Sequence, residues 1–301
     1  MKKLLFLVNP KAGQLELRNN LLEIIDVFTV GGYDVTVHTT QGPRDLTDWL
    51  RKYAKDFDRV VCAGGDGTLN EAVSGLVGLE DAPALGYIPG GTVNDVAHSL
   101  QISRDPVQAA RDIVSGVPLA IDVGQFNESR WFTYVAGFGA FTDVSYETPQ
   151  EEKRMLGRLA YLLKGAKTLA EIKPIPMRMT VEDRVIEDEV LLGLVCSTTS
   201  VGGFRPKAPF MEGISLSDGL SEVIVVKKIT AAQDLQAIGT LITKREFDPS
   251  FFYTFRTDRI RFDFPTAVKW TLDGEFGGAH NTVEIQNRCR AVEILVPQEK
   301  A

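Results

Sequence analysis

The tightest constraint on this chain is a change of texture near residue 122. Up to that point short apolar runs alternate with stretches whose apolar residues recur at helical spacing, over residues 4–8, 15–30, 34–38, 46–55, 59–63, 69–76, 84–88, 93–100 and 106–116. The short runs are too brief for helices and each is followed by an amphipathic segment. This predicts strand–helix–strand units around a mostly parallel sheet. Beyond it, β-rich or alternating stretches dominate at 131–136, 177–181, 190–196, 221–227, 251–255, 259–264 and 291–296, bounded by Gly, Pro, Asp and Asn. Such strands predict a sandwich or barrel. Two helical patterns, 151–171 and 231–242, interrupt them. The expected organisation is an α/β domain over residues 1–125 and a β-sandwich domain over 126–301, with the last strand assignable to either.

At 44% hydrophobic residues in 301, the chain has the apolar material for cores of that size. A net charge of −7 speaks against a general nucleic-acid binder, which carries a basic surplus to displace counterions from phosphates. Cys62, Cys196 and Cys289 are odd in number and lack ligand spacing, which suits a reducing compartment and no disulfide framework. The first apolar run follows two lysines but ends at Asn9-Pro10. It is too short for the hydrophobic part of a signal peptide and reads as a first buried strand. The longest weakly polar run, 131–141, does not reach membrane-spanning length, so membrane contact is expected to be peripheral.

The strand at 59–63 runs into Gly64-Gly65-Asp66-Gly67-Thr68, and a helical pattern begins at Leu69. Glycines let backbone N–H groups approach an anion, and a following helix N-terminus adds a favourable dipole. A tight strand–helix turn without a ligand would use the same residues. A second glycine turn, Pro89-Gly90-Gly91-Thr92-Val93-Asn94-Asp95, follows the strand at 84–88, and a third polar turn, Asn9-Pro10-Lys11-Ala12-Gly13, ends the first strand. All three lie at strand C-terminal ends, where open α/β sheets bind ligands, so they are expected to converge on one site.

These turns, with Asn70-Glu71 and Ala97, stand in the order and spacing of the diacylglycerol kinase catalytic domain, which sphingosine and ceramide kinases share. Asp122, Ala208-Pro209, Asp218-Gly219-Leu220 and Leu272-Asp273-Gly274-Glu275 resemble later motifs of the same family, so the resemblance spans nearly the whole chain. It implies a Rossmann-like first domain with a mostly parallel sheet, similar to NAD kinase and phosphofructokinase, and a second domain rich in β-structure. It further implies ATP in a cleft between the domains, held by Asn9, Pro10, Lys11, Gly13, Thr40, Gly64, Gly65, Asp66, Gly67, Thr68, Glu71, Gly90, Gly91, Thr92, Asn94 and Glu275. Asp66, Asp95 and Glu275 would reach Mg²⁺ or its waters, with Asp66 and Asp95 counted as catalytic beside Asp273. In-line displacement of the γ-phosphoryl group depends on such positioning and charge neutralisation. Asp273 would be the general base that takes the lipid hydroxyl proton; taken alone, Asp273-Gly274 reads as a hairpin turn. Ser217-Asp218-Gly219 likewise reads as a turn. In bacterial relatives this turn holds a structural Mg²⁺ through one carboxylate and backbone carbonyls, which places Asp218, Ser215 and Leu220 as ligands. This chain has Ser217, Ser221 and Glu222 where acidic-acidic-Gly-Leu-Leu-Asp is common, and His98 where an arginine is frequent.

The implied product is a phosphorylated lipid, phosphatidic acid if the substrate is diacylglycerol, made by a cytoplasmic enzyme peripherally associated with a membrane. The implied partners are ATP, Mg²⁺ and a lipid at a membrane surface, with no nucleic acid. A homodimer is compatible with the sequence, whose hydrophobic periodicity does not separate a dimer face from a membrane face. Residues 153–167 are basic and amphipathic, suited to anionic headgroups or, equally, to a solvated face over core-facing Leu156, Leu159 and Leu163. Phe204, Phe210 and Met211 would line a lipid entry or simply pack. Two other readings remain open: an NAD kinase-like enzyme of a soluble substrate, and a nucleotide- or lipid-binding protein without catalysis. The chain has no Gly-Lys dipeptide for a Walker-type loop, no Gly-x-Ser-x-Gly elbow and only three scattered His residues for a zinc site.

Overall fold

The computed structural model describes residues 1–11, 15–91, 94–139, 173–197, 215–229 and 246–298, with the single positions 234, 238, 241 and 244. The chain divides into two compact units, Met1–Asp122 with Arg290–Ala301, and Val123–Cys289.

In the first unit, β1 (Lys2–Val8) pairs in parallel with β2 (Tyr33–Thr39) on one side and with β3 (Arg59–Gly64) on the other, and β3 pairs in parallel with β4 (Leu85–Pro89). β3 and β4 are buried almost throughout, as expected for parallel strands covered on both faces, which is why they stand out in the sequence as continuous apolar runs. β2 is the edge strand and is exposed along much of its length. The helices are α1 (Leu15–Asn19), α2 (Leu21–Val30), α3 (Asp45–Tyr53), α4 (Asp66–Leu76), α5 (Asp95–Leu100) and α6 (Pro106–Ser115). α2 docks through Ile24 and Phe28, both fully buried, with the Phe28 ring edge-on to Phe6 at 5.5 Å. α6 starts where its sequence says it should: the Asp105 carboxylate accepts the Gln108 N–H at 2.7 Å and Pro106 opens the first turn.

β5 (Val117–Phe126) carries the chain into the second unit. There follow β6 (Arg130–Phe132), β7 (Val135–Gly139), β8 (Ile175–Val181), β9 (Arg184–Cys196), β10 (Ser221–Lys227), β11 (Phe252–Thr257), β12 (Arg259–Leu272) and β13 (Glu275–Val296). They run in the order β11-β10-β9-β7-β12-β13, with β8 paired to β9 and β12, and the pairings among them are antiparallel. Trp270, fully buried, centres the core, with Phe138 at 4.7 Å, Phe126 at 5.2 Å and Phe262 at 5.6 Å between ring centroids.

The parallel pairs β1–β2, β1–β3 and β3–β4 lie in the first unit, where the last part of β13 also lies parallel to β4 through Ile294 and Leu85. A mostly parallel, Rossmann-like sheet was expected of the first domain; the sheet as a whole is predominantly antiparallel. The physical reason is the run of hairpin-type neighbours from β7 onward, since antiparallel strands need no crossover helix. The strand expected at 291–296 is the end of the 22-residue β13, and its residues belong to the first unit. The helical pattern at 151–171 and the loop bearing Phe204, Phe210 and Met211 lie outside the described residues. Of the pattern at 231–242, Ile238 is described and is fully buried.

Candidate functional site

In the first unit three turns follow three strand ends, and specific side chains tie them together. At the end of β1 the Asn9 N–H donates to Ala63 O at 3.0 Å, its Nδ2 donates to Thr68 Oγ1 at 3.0 Å, and its Oδ1 accepts the Lys11 N–H at 3.0 Å. The turn after β3 is joined to the turn after β4 by the Gly90 N–H donating to Gly64 O at 2.7 Å and the Asn94 N–H donating to Asp66 Oδ2 at 2.9 Å. Asn94 also closes its own turn, accepting the Gly91 N–H on Oδ1 at 3.0 Å and donating from Nδ2 to Gly91 O at 2.6 Å. It does so with φ of 53°, a left-handed conformation that Asn tolerates better than most residues. Between the turns the Tyr87 hydroxyl lies 3.1 Å from Gly64 O and 3.2 Å from Asn94 Oδ1. Burial first, then the charge of Asp66, pushes the Tyr87 pKa well up, so this hydroxyl stays a donor.

The glycines have a reason to be there before any ligand arrives. A Cβ on Gly91 would sit 2.6 Å from Gly65 Cα, and one on Gly65 would sit 3.3 Å from Gly91 Cα. The two turns therefore pack backbone on backbone. What they present is the start of α4, which opens at Gly65 and has no side-chain cap. The N–H groups of a helix's first turn suit an anion such as a phosphate.

The remaining expected residues of this unit are placed as follows. The Thr40 N–H donates to Val8 O at 2.9 Å, at the end of β1. Pro10 and Lys11 lie in the turn after β1, Gly67 is the second residue of α4, and Asp95 is the first residue of α5, 8% exposed. The Glu71 carboxylate is directed to the start of α3, where Oε1 accepts the Arg44 N–H at 3.1 Å. His98 is exposed. Asp122 is buried, and its Oδ1 accepts the Arg290 N–H at 2.8 Å as the chain re-enters this unit. Gly13 and Thr92 lie outside the described residues.

In the second unit, Asp273 and Gly274 form the two-residue connection between β12 and β13, with φ of 49° and 85°. Positive φ at both positions is what a type I′ hairpin turn requires, and Asp-Gly is among its preferred pairs. The Asp273 carboxylate, in a residue 6% exposed, accepts four hydrogen bonds from one short segment: Thr133 N–H at 2.6 Å and Thr133 O–H at 2.8 Å on Oδ2, and the N–H groups of Tyr134 and Val135, each at 3.0 Å, on Oδ1. Burial pushes the carboxyl pKa up, against the pull of these donors. Glu275 pairs with Leu272 beside this turn and is exposed. At the Asp218 turn, Oδ2 accepts the Ser215 N–H at 2.9 Å, Oδ1 accepts the Leu220 N–H at 3.0 Å, and the Arg256 guanidinium lies 2.8 Å from Oδ2. Arg256 also faces Glu222, 3.5 Å from Oε1. Glu222 is 4% exposed, and burial followed by the charge of Asp218 pushes its pKa to about 8.

Asp66 and Asp95 are oxygen donors of the kind Mg²⁺ prefers, and that ion commonly takes one or two carboxylates together with substrate phosphates. Among the described residues no group of three His, Cys, Asp or Glu side chains could hold a metal ion. Three participants escaped the sequence reading: Tyr87, taken as an apolar strand residue; Thr133, which carries no local signal; and Arg256, whose position on a strand says nothing of its partner.

Residues 3–126 match the family model of the diacylglycerol kinase catalytic domain, and residues 135–296 match that of the YegS C-terminal NAD kinase beta sandwich-like domain. The diacylglycerol kinase of Bacillus subtilis (strain 168) is 35% identical over 305 residues, covering 100% of this chain and 98% of its own. The diacylglycerol kinase of Staphylococcus saprophyticus is 33% identical over 301 residues, covering 99% and 96%. A crystal structure of a candidate diacylglycerol kinase from Bacillus anthracis str. Sterne superposes with a TM-score of 0.82 at 28% identity, covering 100% of this chain and 99% of that one.

Proposed function

The chain belongs to the diacylglycerol kinase catalytic-domain family, and from that premise we propose that it transfers the γ-phosphoryl group of ATP to a lipid hydroxyl, with diacylglycerol as the substrate and phosphatidic acid as the product. The observation that carries the ATP part is the hydrogen bond from the Asn94 N–H to Asp66, which makes one cradle of two glycine turns. In this reading the N–H groups at the start of α4 and the Asn9–Lys11 turn hold the nucleotide phosphates, and Lys11, exposed beside them, adds positive charge. Mg²⁺, held by Asp66 and Asp95, would neutralise charge on the transferring phosphoryl oxygens. Glu275 stands at the hairpin of the second unit as a further ATP contact. Asp273 takes the proton of the lipid hydroxyl, and Thr133, Tyr134 and Val135 fix its carboxylate in one orientation. A carboxyl held above its ordinary pKa by burial is the stronger base for that step.

The Asp218 turn, with the carbonyls of Ser215 and Leu220, is proposed as a second, structural Mg²⁺ site. Arg256 shares the Asp218 carboxylate and would compete with the ion. Among the described residues no helix is long and apolar enough to cross a membrane, and we place the enzyme at the bilayer surface because its substrate resides there. The experiment is transfer of label from γ-labelled ATP with Mg²⁺ to mixed micelles of diacylglycerol, phosphatidylglycerol, sphingosine or undecaprenol, beside soluble NAD. Label in diacylglycerol alone supports the reading. Label in another lipid corrects the substrate, and label only in NAD rejects lipid phosphorylation.

A further inference from the structure

Glu71 follows the glycine turn and was expected at the nucleotide, yet both its carboxylate and its carbonyl reach the start of α3. Its Oε1 accepts the Arg44 N–H at 3.1 Å, and its carbonyl accepts the Thr47 O–H at 2.8 Å. Arg44 ends the connection between β2 and α3, residues 40–44. It has φ of 67°, a left-handed conformation uncommon for a side chain of its size, and no side chain caps α3 there. Such a residue persists where its surroundings over-determine it. At the other end of the connection, the Thr40 N–H is held by Val8 O at 2.9 Å. The Gln41 N–H donates to Asp45 Oδ2 at 2.8 Å, and the same oxygen faces His38 Nε2 at 3.0 Å. His38 in turn stacks on Trp49 with ring centroids 4.2 Å apart. The Gln41 N–H first, then His38, hold the Asp45 carboxyl below its ordinary range. Two carboxylates therefore grip this five-residue connection, Asp45 from its own end and Glu71 from α4.

We propose that Glu71 is a positioning residue: it fixes residues 40–44 so that Thr40 is presented beside the end of β1 to the nucleotide, and it touches neither phosphate nor metal itself. The nucleotide in this statement rests on the kinase reading given above. One rigid helix then carries the phosphate-binding turn at its start and, a little over one turn later, the carboxylate that sets the neighbouring loop.

The test compares wild type with Glu71→Ala and Glu71→Gln, by steady-state kinetics in ATP and by amide hydrogen exchange across residues 38–48, with thermal melts to confirm folding. Glu71→Ala is expected to raise KM for ATP by roughly 5- to 20-fold, as losing one charge-assisted hydrogen bond would, while kcat at saturating ATP stays within about threefold. The amides of Gln41 and Arg44 exchange faster in that variant. Gln can still accept the Arg44 N–H, so Glu71→Gln returns both KM and exchange toward wild type. If Glu71→Gln and Glu71→Ala both lower kcat at saturating ATP on the order of 100-fold, the charge acts directly on phosphate or metal and the proposal is overturned. It is equally overturned if exchange across 40–44 is unchanged in Glu71→Ala. A wild type that transfers no label rejects the kinase reading instead, and the exchange comparison still decides whether Glu71 holds the connection.

Discussion

Asp273→Asn replaces one carboxylate oxygen by an NH2 group where the oxygens accept four hydrogen bonds. The amide must choose an orientation. With its NH2 on the Oδ1 side it faces two backbone N–H groups, of Tyr134 and Val135, neither of which can reverse. On the Oδ2 side it faces the Thr133 N–H and the Thr133 hydroxyl, and the hydroxyl can turn and accept. The second orientation is the cheaper one, and it still leaves one buried backbone N–H against a donor, at a cost of about 1–3 kcal/mol. The remaining hydrogen bonds pass from charge-assisted to neutral and lose roughly half their strength. Working the other way, a neutral amide escapes the burial penalty that pushes the carboxyl pKa up, which offsets part of that loss. The net expectation is a loss of about 2–3 kcal/mol, or a melting temperature lower by about 4–12 °C at the few degrees per kcal/mol typical of a unit this size. Differential scanning calorimetry of both proteins at pH 7 measures it. An equal or higher melting temperature for the variant would refute the reasoning, because burial would then outweigh the four donors. The outcome also governs how lost activity in Asp273→Asn is read: it identifies a base only at temperatures where the variant remains folded.

Gly91→Ala places a Cβ 2.6 Å from Gly65 Cα and 2.8 Å from Asn94 Oδ1, so the two turns must part; isothermal titration should show ATP affinity falling by at least about tenfold, and unchanged affinity would mean that the cradle is not where ATP binds. Glu222 has a folded pKa of about 8 against an ordinary 4.5, so the folded state keeps a proton that the unfolded chain releases. The stability from this group is complete below about pH 4.5 and is lost as pH rises toward 8. Glu222→Gln should therefore flatten the pH dependence of the urea midpoint between pH 5 and 8.5, and a slope identical to wild type would show that Arg256 keeps Glu222 ionised throughout.

The strands easiest to find in the sequence were those buried on both faces. β3 and β4 are nearly unbroken apolar runs because helices cover both sides of them. β5 and the first sixteen residues of β13 were not found. β13 begins with exposed Glu275 and Phe276, passes through Gly277 and Gly278, and presents many polar positions to solvent, so neither period nor propensity marks it. The site divides in the same way. The glycine turns are local and were visible from composition and spacing. The contact of Thr133 with Asp273 spans 140 residues, and no window on the sequence contains both ends of it.

Glu71 shows how far helical geometry alone separates two acids of one motif. Asp66 is the first residue of α4 and Glu71 the sixth, five positions on. At roughly 100° per residue those five steps turn the side chain through about 500°, leaving it some 140° round the helix from Asp66. Two carboxylates so placed leave the helix on different flanks. Helical geometry alone therefore separates their surroundings: the Asn94 N–H meets Asp66, and the Arg44 N–H at the start of α3 meets Glu71. A motif read as a string credits both acids to the ligand. Once wound into a helix, the same string sets one acid beside the turn after β4 and the other beside the start of α3.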